Sequence, residues 1–277
     1  MLKQSVDPTT LQDQETKWDA RAQQFNALQQ RDAQTLPQAV SHHLHTRFPN
    51  AKSVLDVGGG SGRYALHFAR WAEHILMTDI SGKMIDYAAA NAKKAHLSNI
   101  AFKKLDWYDH TQTERIQDTF DIVFASMSPA ASTIDGIEKM MTFSKRHCAV
   151  HQFILSEDTL RDFIVSTLSP PSDTPRYDPH NDRQMVQDLF NMLWNRGYTP
   201  EVKCFSSETT QTISLEVAKD QYAHAKFSAE FGMANVLRTI EAYAEGGFCH
   251  VKKRSVSALV SWSSNPAHHL SQGEKNV

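Results

Sequence analysis

Apolar and polar residues alternate along this chain in two kinds of block. Short apolar runs bounded by turn residues read as buried strands. Longer stretches with apolar positions at i, i+3 and i+4 read as helices. The strand pattern occurs at Ser53–Val57, Ile75–Asp79, Ile100–Leu105, Phe120–Ala125 and Cys148–Leu155. Helices read between them, at Arg63–Ala72, Gly82–Lys94 and Ile134–Phe143. Strands that alternate with helices predict a parallel sheet covered on both faces. Residues 1–50 lack the strand pattern and read as two or three polar helices, with Asp7-Pro8 and Pro37 near their starts. Later, 169–175 (Ser-Pro-Pro-Ser-Asp-Thr-Pro) is a loop. Asp182–Asn195 is a helix with Met185, Leu189, Met192 and Leu193 on one face, stopped at Gly197. Glu201–Thr212 reads as a strand, Leu215–Tyr243 as one long or two short helices, and Ser255–Ser261 as a last strand. The pattern therefore predicts a doubly wound α/β fold. Its organisation is an N-terminal helical cap over 1–50, a domain over 51–265 with a helical insertion at about 213–250, and a flexible tail over 266–277.

The first strand runs into Gly58-Gly59-Gly60-Ser61-Gly62, four glycines within five residues. A loop that rich in glycine suits a very tight turn or a close backbone approach to a ligand. Asp56 stands inside the strand just before it. A buried acid there suits a ligand carrying an amine better than one carrying a pyrophosphate. The dinucleotide fingerprint G-x-G-x-x-G does not fit, because Arg63 holds the place of its third glycine. The second strand ends in Asp79, followed by Ile80. An acid at that strand end can accept both hydroxyls of a ribose.

The spacing Asp56-x-Gly58-x-Gly60-x-Gly62, with Asp79 after the next strand, resembles motif I of the class I S-adenosylmethionine-dependent methyltransferases. That resemblance implies a mostly parallel seven-stranded sheet closed by an antiparallel pair of strands six and seven. It implies S-adenosylmethionine as cofactor, held by Asp56, Gly58, Gly60, Gly62, Asp79 and Ile80. It also places Asp106, at the end of the third strand, near the adenine amino group, and Trp107 beside the ring. Ser126 and Ser128, after the fourth strand, correspond to the family's motif IV, where the chain approaches the methyl group. Trp18-x-x-Arg21-Ala22-x-x-Phe25 resembles a helix that folds over the cofactor in small-molecule members, which brings in Trp18 and Arg21. Ser128-Pro129-Ala130-Ala131 lacks the second proline and the aromatic of the nucleic-acid amino methyltransferases.

Methyl transfer from a sulfonium needs a general base only if the acceptor must lose a proton. His151, Tyr108 and Ser128 are the candidates for that catalytic role. Composition narrows the partners. The net charge is −2 with no basic stripe, so no nucleic-acid partner is expected. Three dispersed cysteines, Cys148, Cys204 and Cys249, form no disulfide framework and point to a reducing cytoplasm. No secretory h-region or long apolar run is present, so no membrane role is expected. His42-His43-x-His45 has no accompanying acid or thiol and reads as a solvated helix face, so no metal is expected. The expected acceptor is a small molecule. An NAD-dependent oxidoreductase and a non-catalytic S-adenosylmethionine-binding protein are the alternatives. Oligomeric state is not legible.

Overall fold

A computed structural model describes residues 2–5, 13–31, 35–170, 178–223 and 225–265. Asp7-Pro8, residues 171–175 of the expected loop and the expected tail at 266–277 lie outside them. The chain divides into two compact units, the described residues of Met1–Gln152, Gln184–Lys203 and Ala258–Val277, and those of Phe153–Arg183 and Cys204–Ser257.

The first unit begins with two helices, α1 (Gln14–Arg31) and α2 (Thr35–Arg47). Strands β1 (Ser53–Val57), β2 (His74–Asp79), β3 (Ile100–Lys104), β4 (Phe120–Ser126) and β5 (Ser144–Asp158) follow. Between them lie α3 (Ala65–Phe68), α4 (Gly82–Lys94), α5 (His110–Thr113) and α6 (Ile134–Thr142). Beyond β5 come α7 (Thr159–Leu168), α8 (Arg183–Asn195), β6 (Glu201–Ser214), α9 (Leu215–Tyr222), α10 (Ala225–Phe231), α11 (Met233–Tyr243) and β7 (Phe248–Ser263). The seven strands form one sheet in the order β3-β2-β1-β4-β5-β7-β6. The pairs β1–β2, β1–β4, β2–β3 and β4–β5 are parallel.

Sequence explains this central sheet. Ile122, Val123, Phe124 and Ala125 of β4 are all buried, the continuous apolar run of a strand covered on both faces. The α4 helix starts where the Ser81 hydroxyl accepts from Met84 N at 3.1 Å and buries Met84, Ala88 and Ala92. Leu55, Val57, Ile137, Met140, Leu189 and Leu193 share one core cluster. In the second unit Leu160 and Ile164 of α7 pack with Ala218, Tyr222, Val236, Ile240, Cys249 and Val251.

Several elements depart from the expected bounds. The helix expected over Arg63–Ala72 is regular only at Ala65–Phe68. Gly62 enters it at φ +91°, and bonds of the i to i−3 kind at His67, Arg70 and Trp71 tighten the remaining turns. The last helical stretch is three helices, with Gly232 at φ +81° between the second and third. The α7 helix went unanticipated, although Asp158 caps it by accepting from Arg161 N at 3.0 Å.

Candidate functional site

Parallel pairing brings the carboxyl ends of β1, β2 and β4 together, and the glycine loop begins there. Gly58 N and Gly59 N both donate to Thr78 O, at 2.8 and 3.0 Å, which pins the loop to the end of β2. Gly58 takes φ +70° and Gly60 φ +60°, a region that side chains other than glycine enter at a cost. A Cβ at Gly58 would also collide with the Ser128 hydroxyl, so the loop after β4 lies directly against the glycine loop.

Asp79 joins this loop to α4. Its Oδ2 accepts from Gly60 N at 2.9 Å and its Oδ1 accepts from Ser81 N at 2.9 Å. A carboxylate offers about four acceptor sites, so these N–H groups do not exhaust it. Asp56 is 1% exposed, and its Oδ2 has no hydrogen-bond partner among the described residues. Burial, and then the neighbouring Asp79 carboxylate, push the Asp56 carboxyl up to about 7, against the opposing pull of the Ala65 N–H. Burial also raises Asp79, while the N–H groups of Ser81 and Gly60 hold it down. Two buried acids side by side form a site that favours a cation.

The α1 helix crosses the same region. The expected face was Trp18, Arg21, Ala22 and Phe25. The face that packs is instead Asp19, Ala22, Asn26 and Gln29. Asp19 accepts from the Ser81 hydroxyl and from Lys83 N. Asn91 donates to Asn26 Oδ1 at 2.8 Å and to Ser61 O at 3.0 Å, and the Ser61 hydroxyl donates to Gln29. The helix therefore docks on the loop and α4 through polar side chains, which decide its rotation. Arg21 is exposed, its guanidinium carbon 5.8 Å from the centre of the Trp18 ring. Phe25 packs edge-on to Trp18 and overhangs the loop, since a Cβ at Gly60 would lie 3.2 Å from its ring.

The remaining candidates separate. Asp106 is half-buried at the end of β3 and accepts from Tyr108 N at 2.9 Å. Half-buried Ile80 follows Asp79. Trp107, expected beside the cofactor ring, is instead 5% exposed and packed in the core. Its indole N–H donates to Gly136 O, and Phe143 lies against its ring. The Tyr108 hydroxyl, expected as a base, donates to Pro129 O at 2.8 Å and contacts Thr133 Oγ1 at 3.1 Å. Burial raises its pKa, so it braces the loop after β4 and does not serve as a base near neutral pH. The Ser128 hydroxyl caps the short turn at Pro129–Ala131 by accepting from Ala130 N at 3.3 Å. Ser126 pairs with His151 in the β4–β5 register, and its Oγ lies 2.9 Å from His151 Nδ1. Tyr64, which the sequence did not single out, places its hydroxyl 3.1 Å from the same nitrogen. His151 is fully buried, and burial, followed by the charge of Arg63, lowers its pKa to about 3. It is therefore a neutral hydrogen-bonding centre and not the general base that the sequence allowed.

Residues 54–149, from β1 into β5, match the family model described as a methyltransferase domain. This stretch of the chain is similar to a methyltransferase domain. It holds the glycine loop, Asp79, Asp106 and Ser126. The release factor glutamine methyltransferase of Aliivibrio fischeri is 30% identical over 97 residues, covering 34% of this chain and 32% of that protein. That of Xylella fastidiosa strain 9a5c is 36% identical over 77 residues, covering 27% and 26%. The chain thus spans about a third or less of the length of these curated relatives. Among solved structures, a candidate type II methyltransferase from Anaeromyxobacter dehalogenans superposes with a TM-score of 0.54 at 15% identity, covering 83% of this chain and 97% of that one. A candidate methyltransferase from Bacillus halodurans gives 0.50 at 14% identity, covering 82% and 98%. These two share the fold. No helix among the described residues is long and apolar enough to cross a membrane.

Proposed function

We propose that this protein transfers a methyl group from S-adenosylmethionine to a small-molecule acceptor in the cytoplasm. The observation that carries the reading is Asp56: a buried carboxylate with one oxygen unpartnered, beside a second raised acid and under a glycine loop. An ammonium group answers that arrangement, and the cofactor's amino acid end carries one. Gly58, Gly60 and Gly62 all take positive φ, which turns the loop past it, and Asp79 keeps acceptor capacity for the ribose hydroxyls. In this reading Asp106 accepts from the adenine amino group, with Ile80 alongside the ring. Trp18 and Arg21 belong to a lid formed by α1, whose Phe25 overhangs Gly60. In this reading residues 1–50 are a cap on the 51–265 domain, and residues 213–250 are an insertion into it.

When bound, the cofactor supplies an electrophilic methyl on a good leaving group. What the protein adds is position, an acceptor held in line with the carbon–sulfur bond in a site closed to water. Neither Tyr108 nor His151 has the pKa of a base near neutral pH, which favours an acceptor that reacts without prior deprotonation.

The test is calorimetric titration with S-adenosylmethionine, S-adenosylhomocysteine and NAD in parallel. Micromolar binding of the two sulfur compounds without NAD is expected. Binding of NAD alone would replace the reading with a nicotinamide enzyme. Binding of the sulfur compounds together with a product screen that stays empty over every acceptor class would leave a cofactor-binding protein.

A further inference from the structure

The two edges of the sheet are built differently. The edge formed by β3 is five residues long and ends in Lys103 and Lys104. Lys103 Nζ donates to Arg115 O at 2.9 Å, and Lys104 pairs with Glu15 of α1 at 2.5 Å. Short length and lysines are the ordinary protection of an edge against another strand. The edge formed by β6 is fourteen residues long, and eleven of them are exposed. From Ser206 to Thr212 every residue is exposed, so neither face of that stretch is covered. The strand holds no proline or glycine, and its one lysine, Lys203, lies near the start. Its outer backbone N–H and C=O groups face no other strand among the described residues.

Charge decides what kind of strand fits there. The charged side chains of β6 are Glu201, Lys203 and Glu208. Glu201 accepts from Arg47 Nε at 2.9 Å, and Lys252 holds Glu208 at 2.7 Å. Both acids are therefore answered within the chain, and a strongly charged peptide gains little from them. The rest of the edge offers serine and threonine hydroxyls, backbone groups and Val202, which is 46% exposed. A second copy matches this surface in kind and in length. Threonine and serine side chains facing one another across an antiparallel pair are mutually favourable. With a net charge of −2, two copies repel each other little.

We propose that β6 is a docking edge for a second copy of this chain, the two β6 strands pairing antiparallel about a two-fold axis. Each molecule carries one such edge, so the contact is isologous and closes at the dimer. The lysine-guarded β3 edge does not extend it.

Sedimentation velocity of the full chain tests this over about 1–100 μM, a range in which small interfaces dissociate. A monomer–dimer equilibrium with no larger species is expected. Thr209→Pro and Thr210→Pro separate the edge from the fold, because neighbouring N–H groups of a strand point to opposite sides. The proline that removes the N–H facing β7 should lower Tm. The other should keep Tm and weaken association by about tenfold or more, since one bond is lost on each side of the two-fold. Single cysteines over 202–212, with Cys204→Ser in the other variants, then locate the axis. A residue on the two-fold faces its own copy within disulfide reach, so one position should form covalent dimer far above its neighbours. A chain that stays monomeric at about 100 μM overturns the proposal. So does a dimer that neither proline weakens, an open series of larger assemblies, or equal cross-linking at every position.

Discussion

Asp56 sets the terms of this site. Its carboxyl ionises near 3.8 in the unfolded chain and near 7 in the folded one. Between those values the folded state keeps a proton that the unfolded state has lost, so stability from this group falls as pH rises through the window. The penalty is absent below about pH 4 and complete above about pH 7. Asp56→Asn should therefore raise unfolding free energy at pH 8 by up to roughly 4 kcal/mol and leave it nearly unchanged at pH 4. Urea denaturation at the two pH values measures this, and equal effects at both would refute it. Its neighbours act on binding. Asp79→Ala should weaken S-adenosylhomocysteine binding by about 1.5–3 kcal/mol, the worth of a hydrogen bond to a charged group. Gly60→Val places a branched side chain at φ +60° and within reach of Phe25, and should abolish binding in a protein that still folds. Circular dichroism together with calorimetry checks both parts.

At the scale of elements, Ser81 joins two helices. Its hydroxyl accepts from Met84 N to start α4 and donates to Asp19 of α1. Ser81→Ala removes the cap and one bond to α1. It should cost about 1 kcal/mol, read as a fall of roughly 3 °C in Tm. Recovery of the full Tm by the alanine variant would exclude the capping role. Elements of this kind were legible in the sequence. The bounds of β1 and α4 follow from an unbroken apolar run and from a serine placed before an apolar stripe. The short α3 was misjudged because helical periodicity after a glycine loop says nothing about the positive φ at Gly62. Trp107 was misplaced because an aromatic at a strand end suits a core as well as a crevice. The face of α1 was misjudged because it packs through Asp19, Asn26 and Gln29, polar residues that an apolar pattern assigns to solvent. Tyr64 and Ser126 meet at His151 only through the sheet order, and no spacing in a single chain announces that.

For the molecule as a whole, the glycine loop, Asp56, Asp79, α1 and the carboxyl ends of β1, β2 and β4 all lie in the first unit. Binding an ammonium group next to Asp56 favours its ionised form, so occupation of the site should expel a proton when the pH is near or below 7. S-adenosylhomocysteine should then bind more tightly at pH 8 than at pH 6. Calorimetry in buffers of different ionisation enthalpy should show net proton release at pH 6.5. A pH-independent affinity would mean that Asp56 never meets the amine.

The polar seating of α1 has one more consequence. Asp19 and Asn26 make part-buried bonds that water can replace, so the docked helix should open more readily than the sheet. A protease samples such an opening directly. Cleavage within residues 14–31 should precede cleavage of the sheet, and saturating S-adenosylhomocysteine should slow that first cut in proportion to occupancy. The helix would then serve as a reporter, turning digestion rate into a titration curve that needs neither acceptor nor label.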